Sequence, residues 1–133
     1  PPSADFAPEP RSVWQSIEVS TPFDSVSEWL TVPDIAEMLH VSIGKVHRMV
    51  EEHEIFTVRI DGVQKVPAEL FVDGEPLSSI RGTILVLIDA GFSPEGAAEW
   101  IYTVEDSIGV RPIDRLLEGR KAEVRRIAQS LAF

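Results

Sequence analysis

Cysteine is absent from all 133 residues. That excludes disulfide frameworks and thiolate chemistry, and it leads to the expectation of a reducing compartment such as the cytoplasm. Long hydrophobic runs are missing too. The longest apolar cluster, residues 83–88, falls far short of the roughly 18 residues of a membrane span. No membrane association is expected. The N-terminus is polar and Pro-rich, so no secretory signal is expected either. Basic residues are scarce, with 12 Lys and Arg against 22 Asp and Glu, a formal net charge of −10. That is the wrong sign for a polyanionic partner. No nucleophile motif, phosphate-binding glycine loop or kinase signature occurs, so no catalytic residue and no enzyme are expected. His40, His47 and His53 lack the i, i+4 spacing of a zinc-binding helix, and no cysteine joins them. Neither a metal site nor a cofactor is expected.

What is present is ordinary in bulk. An apolar fraction of 44% and a charged fraction of 26% suit a globular chain of one domain, or of two small ones sharing a core. The charge distribution says more. Residues 1–28 carry −4, residues 29–67 carry −2, residues 68–110 carry −7 and residues 111–133 carry +3. Two segments, 29–67 and 111–133, therefore hold 10 of the 12 basic residues. A net-acidic protein can still meet DNA through one locally basic face, with weak non-specific affinity.

The most informative stretch runs from Thr31 to Pro67. Thr31 is a good helix N-cap, Pro33 suits a first turn, and Ile35, Ala36 and Leu39 form an apolar stripe. His40-Val41-Ser42 reads as a tight turn with Ser42 as the next N-cap. A second helix from Ile43 to about His53 buries Val46, Met49 and Val50 and turns Gly44, Lys45, His47, Arg48 and Glu51-Glu52 outward. The β-branched runs 55–60 and 63–66 flank Asp61-Gly62, the strongest short hairpin signal. The pattern predicts a helix-turn-helix with a β-hairpin wing. His40 occupies the turn position most often filled by glycine, a place where histidine is tolerated.

Around this unit, residues 1–24 read as a flexible acidic tail, 25–76 as the winged unit and 77–133 as a helical domain. Phe71-Val72 suggests a short strand before a turn at 73–76. Helices are expected over 82–90, after Ser93-Pro94, after Pro112, and at the C-terminus with Val124, Ile127, Ala128 and Leu131 at helical spacing. The fold class is mainly α.

In a helix-turn-helix, Lys45, His47 and Arg48 project toward a major groove. Ser42 and the helix-start amides would hold a phosphate, and Arg59 and Lys65 would reach out from the wing. Taken singly, each is an ordinary solvated side chain. Four cations on one expected surface favour double-stranded DNA. Arg120, Lys121, Arg125 and Arg126 add backbone contacts or neutralise the acidic segment 68–110. The rival reading is a protein-interaction module built on Trp100, Ile101, Leu116, Leu117, Val124 and Ile127, with a homodimer face as one variant.

Three segments carry a family resemblance: VPDIAEMLHVSIGKVHRMV with VRIDGVQKVPAELF, then ILVLIDAGFSPEGAAEWIYT, and RPIDRLLEGRKAEVRRIAQSLAF. Over residues 29–133 the chain resembles an actinobacterial family of small winged helix-turn-helix DNA-binding proteins, known from mycobacteria as substrates of a serine/threonine kinase. The last two segments are also similar to the toxin-binding helical domain of some antitoxins, through Trp100, Gly109, Pro112, Asp114 and Gly119. The resemblance implies regulatory or nucleoid-associated DNA binding without a cofactor. It also implies control by phosphorylation in the N-terminal tail, where Ser3, Ser12, Ser16, Ser20 and Thr21 are candidates. A phosphate adds about −1.5 to −2 charge to a segment that is already acidic.

Overall fold

The computed structural model describes residues 21–131. A 3-10 turn at Pro22–Ser25 leads into β1 (Trp29–Thr31), α1 (Val32–Leu39), α2 (Ile43–Glu51), β2 (Val58–Ile60) and β3 (Val63–Pro67). A second 3-10 turn (Ala68–Leu70) and a ribbon of β4 (Phe71–Val72) and β5 (Glu75–Pro76) follow. Four helices complete the chain: α3 (Ser79–Asp89), α4 (Pro94–Tyr102), α5 (Pro112–Leu117) and α6 (Lys121–Gln129). The fold is a mainly α winged helix-turn-helix with a C-terminal helical extension, as the sequence pattern predicts.

Local chemistry starts and stops the helices. Thr31 Oγ1 accepts from the Asp34 amide at 3.2 Å, and the Asp34 carboxylate accepts from the Thr31 amide at 3.0 Å. This reciprocal cap holds the Asp34 carboxyl below its usual range, chiefly through the backbone hydrogen bond from Thr31. Ser42 Oγ caps α2 by accepting from the Lys45 amide at 3.0 Å, and Ser93 Oγ caps α4 at Gly96 in the same way. At its far end α1 closes with His40 in the left-handed region (φ 58) and a Val41 amide to Ala36 carbonyl bond of 3.0 Å. The end of α2 repeats this with His53 (φ 64) and a Glu54 amide to Met49 carbonyl bond of 2.9 Å. Both are Schellman closures that usually use glycine. Two of the three histidines thus serve as turn residues.

The wing differs from the two-strand expectation. β3 pairs with β2 through the Asp61-Gly62 turn and also with β1, giving the antiparallel order β1-β3-β2. Asp61 (φ 53) and Gly62 (φ 80) both have positive φ, which is what a type I′ turn needs. At three residues, β1 is too short to show a period. Residues 55–57 precede β2 instead of pairing, and Ile55 and Phe56 are buried in the core. The segment 75–76 is a strand rather than part of a turn: Phe71 pairs with Pro76 and Val72 with Glu75 around Asp73-Gly74. The second helix stops at Glu51, short of His53.

One hydrophobic core runs through the described residues. Ile35, Val46, Met49 and Val66 from the winged unit join Ile80, Ile84, Leu87, Ile101, Ile113, Leu116 and Val124 from the helical half. The boundary drawn at residue 76 therefore divides the chain but not the core. Ile101, Leu116 and Val124, which had suggested a partner face, lie inside it, whereas Leu117 is 39% exposed. α3 packs on α6, where the Arg125 guanidinium lies over Gly82 and would have to shift to admit a side chain at that position.

Residues 21–24, expected to belong to the tail, are part of the fold, and the rest of that expected tail lies outside the described residues. Thr21 caps the first 3-10 turn by accepting from the Phe23 amide at 3.1 Å, and Phe23 is buried. Its ring lies 5.5 Å from Tyr102, 6.3 Å from Trp29 and 6.3 Å from Phe56, centroid to centroid. An isolated aromatic in a polar stretch gives no periodic signal, so its docking was not legible in the sequence. Of the candidate phosphorylation positions, Thr21 alone is described; Ser3, Ser12, Ser16 and Ser20 lie outside the described residues.

Candidate nucleic-acid interface

α2 presents its polar side to solvent. Val46 and Met49 are buried beneath it, while Ser42, Ile43, Gly44, Lys45, His47, Arg48, Glu51 and Glu52 are exposed. At 3.6 residues per turn, Gly44, His47, Arg48 and Glu51 follow one another along the outer ridge, with Lys45 and Glu52 on its flank. The helix carries two cations in its first two turns and two carboxylates at its end. Its C-terminus is held from α3, where Arg81 Nε donates to the Glu52 carbonyl at 3.0 Å. The single base of the segment 68–110 is thus used to close the end of this helix.

The wing places its two cations differently from the expectation of one shared surface. Arg59 pairs with Gln64, and Lys65 pairs with Val58 and with Thr31. Directly paired residues share a face and successive residues alternate. Arg59 and Gln64 therefore point from one face of the sheet, and Lys65 from the other. Arg59 is exposed and Lys65 half-buried. Arg59 also braces the turn, with Nη1 donating to the Gly62 carbonyl at 3.1 Å. Gln64, exposed beside Arg59, is a polar wing residue that attention to cations alone passed over. Strand parity would have found it.

Ser42 has a structural task, since its hydroxyl already accepts from Lys45. The side chains of His47 and Arg48 have no hydrogen bond or ion pair among the described residues, and every ion pair found there involves Arg111, Arg115 or Arg120. Arg120 pairs with Glu118 at 3.8 Å and Glu123 at 3.7 Å, within its own segment. Arg125 lies over Gly82. Lys121 and Arg126 are exposed with no ion pair.

Arg111 ties the halves of the molecule together. It makes a two-pronged bond to Asp114 (Nη2 to Oδ1 2.7 Å, Nε to Oδ2 3.1 Å) and reaches Ser25 Oγ at 2.9 Å and Glu69 at 3.4 Å. Its guanidinium carbon lies 5.3 Å from the centre of the Tyr102 ring. The Arg111 hydrogen bond holds the Asp114 carboxyl below its ordinary range, and burial followed by the Glu69 charge pushes the Tyr102 phenol far above its own.

Comparison with known proteins agrees with this architecture. A family model described as the winged helix-turn-helix domain of DNA-binding protein Rv2175c matches residues 19–71. A second, described as the Rv2175c C-terminal domain of unknown function, matches residues 77–132. The chain is 28% identical to DNA-binding protein Rv2175c of Mycobacterium tuberculosis, over 77% of this chain and 79% of that protein. The NMR structure of Rv2175c superposes with a TM-score of 0.74 at 27% identity, covering 83% of this chain and 84% of the other. With both domains matched in order along one chain, this protein belongs to the Rv2175c family of winged helix-turn-helix proteins.

Proposed function

We propose that this chain binds duplex DNA through the outer ridge of α2 and one face of the wing. The observation that carries this reading is the division of labour among the cations. Arg111, Arg115 and Arg120 are held in ion pairs, whereas Lys45, Arg48, Arg59 and Lys65 of the winged unit are in none. Groups left unpaired within the fold remain able to neutralise phosphates. The polarity of α2 gives the direction of approach. Lys45 lies in its first turn and His47 at its middle, Arg48 opens its last turn, and Glu51 with Glu52 at its end would be repelled by a phosphate backbone. Entry with the N-terminal half foremost is the geometry by which recognition helices reach base edges. The name of the matched relative supports the same partner.

On this reading the protein is a cytoplasmic regulator or nucleoid-associated factor with a weak, salt-sensitive grip. Phosphorylation of Ser3, Ser12, Ser16 or Ser20 by a serine/threonine kinase would add negative charge to a protein whose interface has few cations. Thr21 suits this role less well, because its hydroxyl caps the turn that seats Phe23. A homodimer presenting two α2 helices would raise affinity through two half-sites. The test is a salt-titrated duplex-binding assay on the full chain. A log–log slope of about −2 to −4 is expected, at roughly −0.9 per neutralised phosphate. Undetectable binding at low salt, or no change on replacing Lys45 and Arg48 together by alanine, would reject the reading.

A further inference from the structure

Gly44 stands on the exposed outer ridge of α2 with no task in the fold. Its backbone is not in the positive-φ region, unlike Gly62 at φ 80 in the wing turn. A Cβ built on it meets only Ser42 Oγ, at 3.8 Å, an ordinary contact, whereas at Gly82 the Arg125 guanidinium is in the way. Glycine is one of the poorest residues in a helix, and alanine the best. The free protein would therefore hold α2 at least as well with alanine at this position. Conformation and internal packing both leave the glycine unexplained, and what remains is the outside of the helix.

The surroundings of Gly44 are not bland. Lys45 is adjacent, His47 and Arg48 stand one turn along, and Ile43 beside it is 48% exposed. Residues three and four apart are immediate neighbours on a helix surface. The ridge thus has a bare stretch of backbone ringed by two cations, an imidazole and an aliphatic side chain. That combination suits a surface pressed against a groove. The cations meet phosphates, the imidazole reaches a base edge, and an aliphatic group can meet a thymine methyl.

We infer that Gly44 is the point of closest approach between α2 and DNA, a positioning residue whose missing side chain lets the helix backbone seat in the major groove. The inference rests on the DNA-binding reading and deepens it. Its test measures thermal midpoint and binding to a short random-sequence duplex, across a salt series, for the full chain and for Gly44→Ala. The midpoint should hold or rise by a few degrees. Affinity should fall about tenfold, the scale of forcing one methyl group into a close contact. The salt slope should stay unchanged, since no charge is lost, whereas Lys45→Ala lowers it. Equal or tighter binding by Gly44→Ala, beside a wild type that binds, overturns the inference and leaves the DNA reading standing. A lowered midpoint also overturns it, by showing that the glycine serves the fold. If the wild type fails to bind at low salt, the DNA reading fails and takes the inference with it.

Discussion

Replacing Arg111 with alanine removes more than one ion pair. The guanidinium is 17% exposed and joins α5 to the second 3-10 turn through Glu69, to the first through Ser25, and to α4 through the Tyr102 ring. The two-pronged bond to Asp114 is worth about 1.5 kcal/mol, at the low end for charged hydrogen bonds because Asp114 is 34% exposed. The Ser25 bond and the ring contact add about 0.5–1 kcal/mol each. The total loss should be about 3 kcal/mol, enough to lower the melting midpoint by on the order of 10 °C. Circular dichroism melts of wild type, Arg111→Ala, Asp114→Ala and the double variant would measure it and isolate the pair's coupling. The pH dependence is a second readout. Asp114 titrates lower in the folded chain than its ordinary value of 3.8. Its share of stability is therefore complete above about pH 5 and is lost as pH falls below 4 through the lowered folded value. The gap between wild type and Arg111→Ala should be full at pH 7 and narrow in acid. A loss under about 0.5 kcal/mol at pH 7 would refute the assignment of Arg111 as the tie between the halves, and one equally large when Asp114 is already alanine would refute the two-pronged pair as part of that loss.

Phe23→Ala should cost about 3 kcal/mol or more, as emptying a buried aromatic site does; urea denaturation of that variant would show it, and an unchanged midpoint would refute the docking of residues 21–24 on the core. Deleting residues 1–20 should leave the melting curve in place, whereas deleting 1–24 should shift it downward. His40→Gly should leave stability level or raise it by up to about 1 kcal/mol, because glycine adopts φ 58 without strain; His40→Val should lower it in the same melts. In duplex binding, Arg59→Ala should reduce the salt slope by about 0.9 and Lys65→Ala by much less, since the two project from opposite faces of the wing. Equal effects would mean that the wing docks edge-on.

The sequence by itself determined the local grammar. Thr31, Ser42 and Ser93 announce helix starts through short side-chain bonds to nearby amides, and Asp61-Gly62 announces the hairpin through its tolerance of positive φ. These signals span only a few residues, so they are complete in the sequence. The exposed ridge of α2 was legible for the same reason, because its face follows from helical spacing. What only the tertiary structure decided depends on groups distant along the chain. Arg111 meets Ser25 across 86 positions, and Arg81 closes α2 across 29. β1 gains its identity only by lying against β3, and Phe23 only by reaching Tyr102 and Phe56. Strand pairing likewise separated Arg59 from Lys65, two cations that the sequence suggested would share one surface. Local hydrogen-bonding preferences write helices and turns into neighbouring residues, whereas the choice of partners waits for collapse of the one core that brings remote residues together.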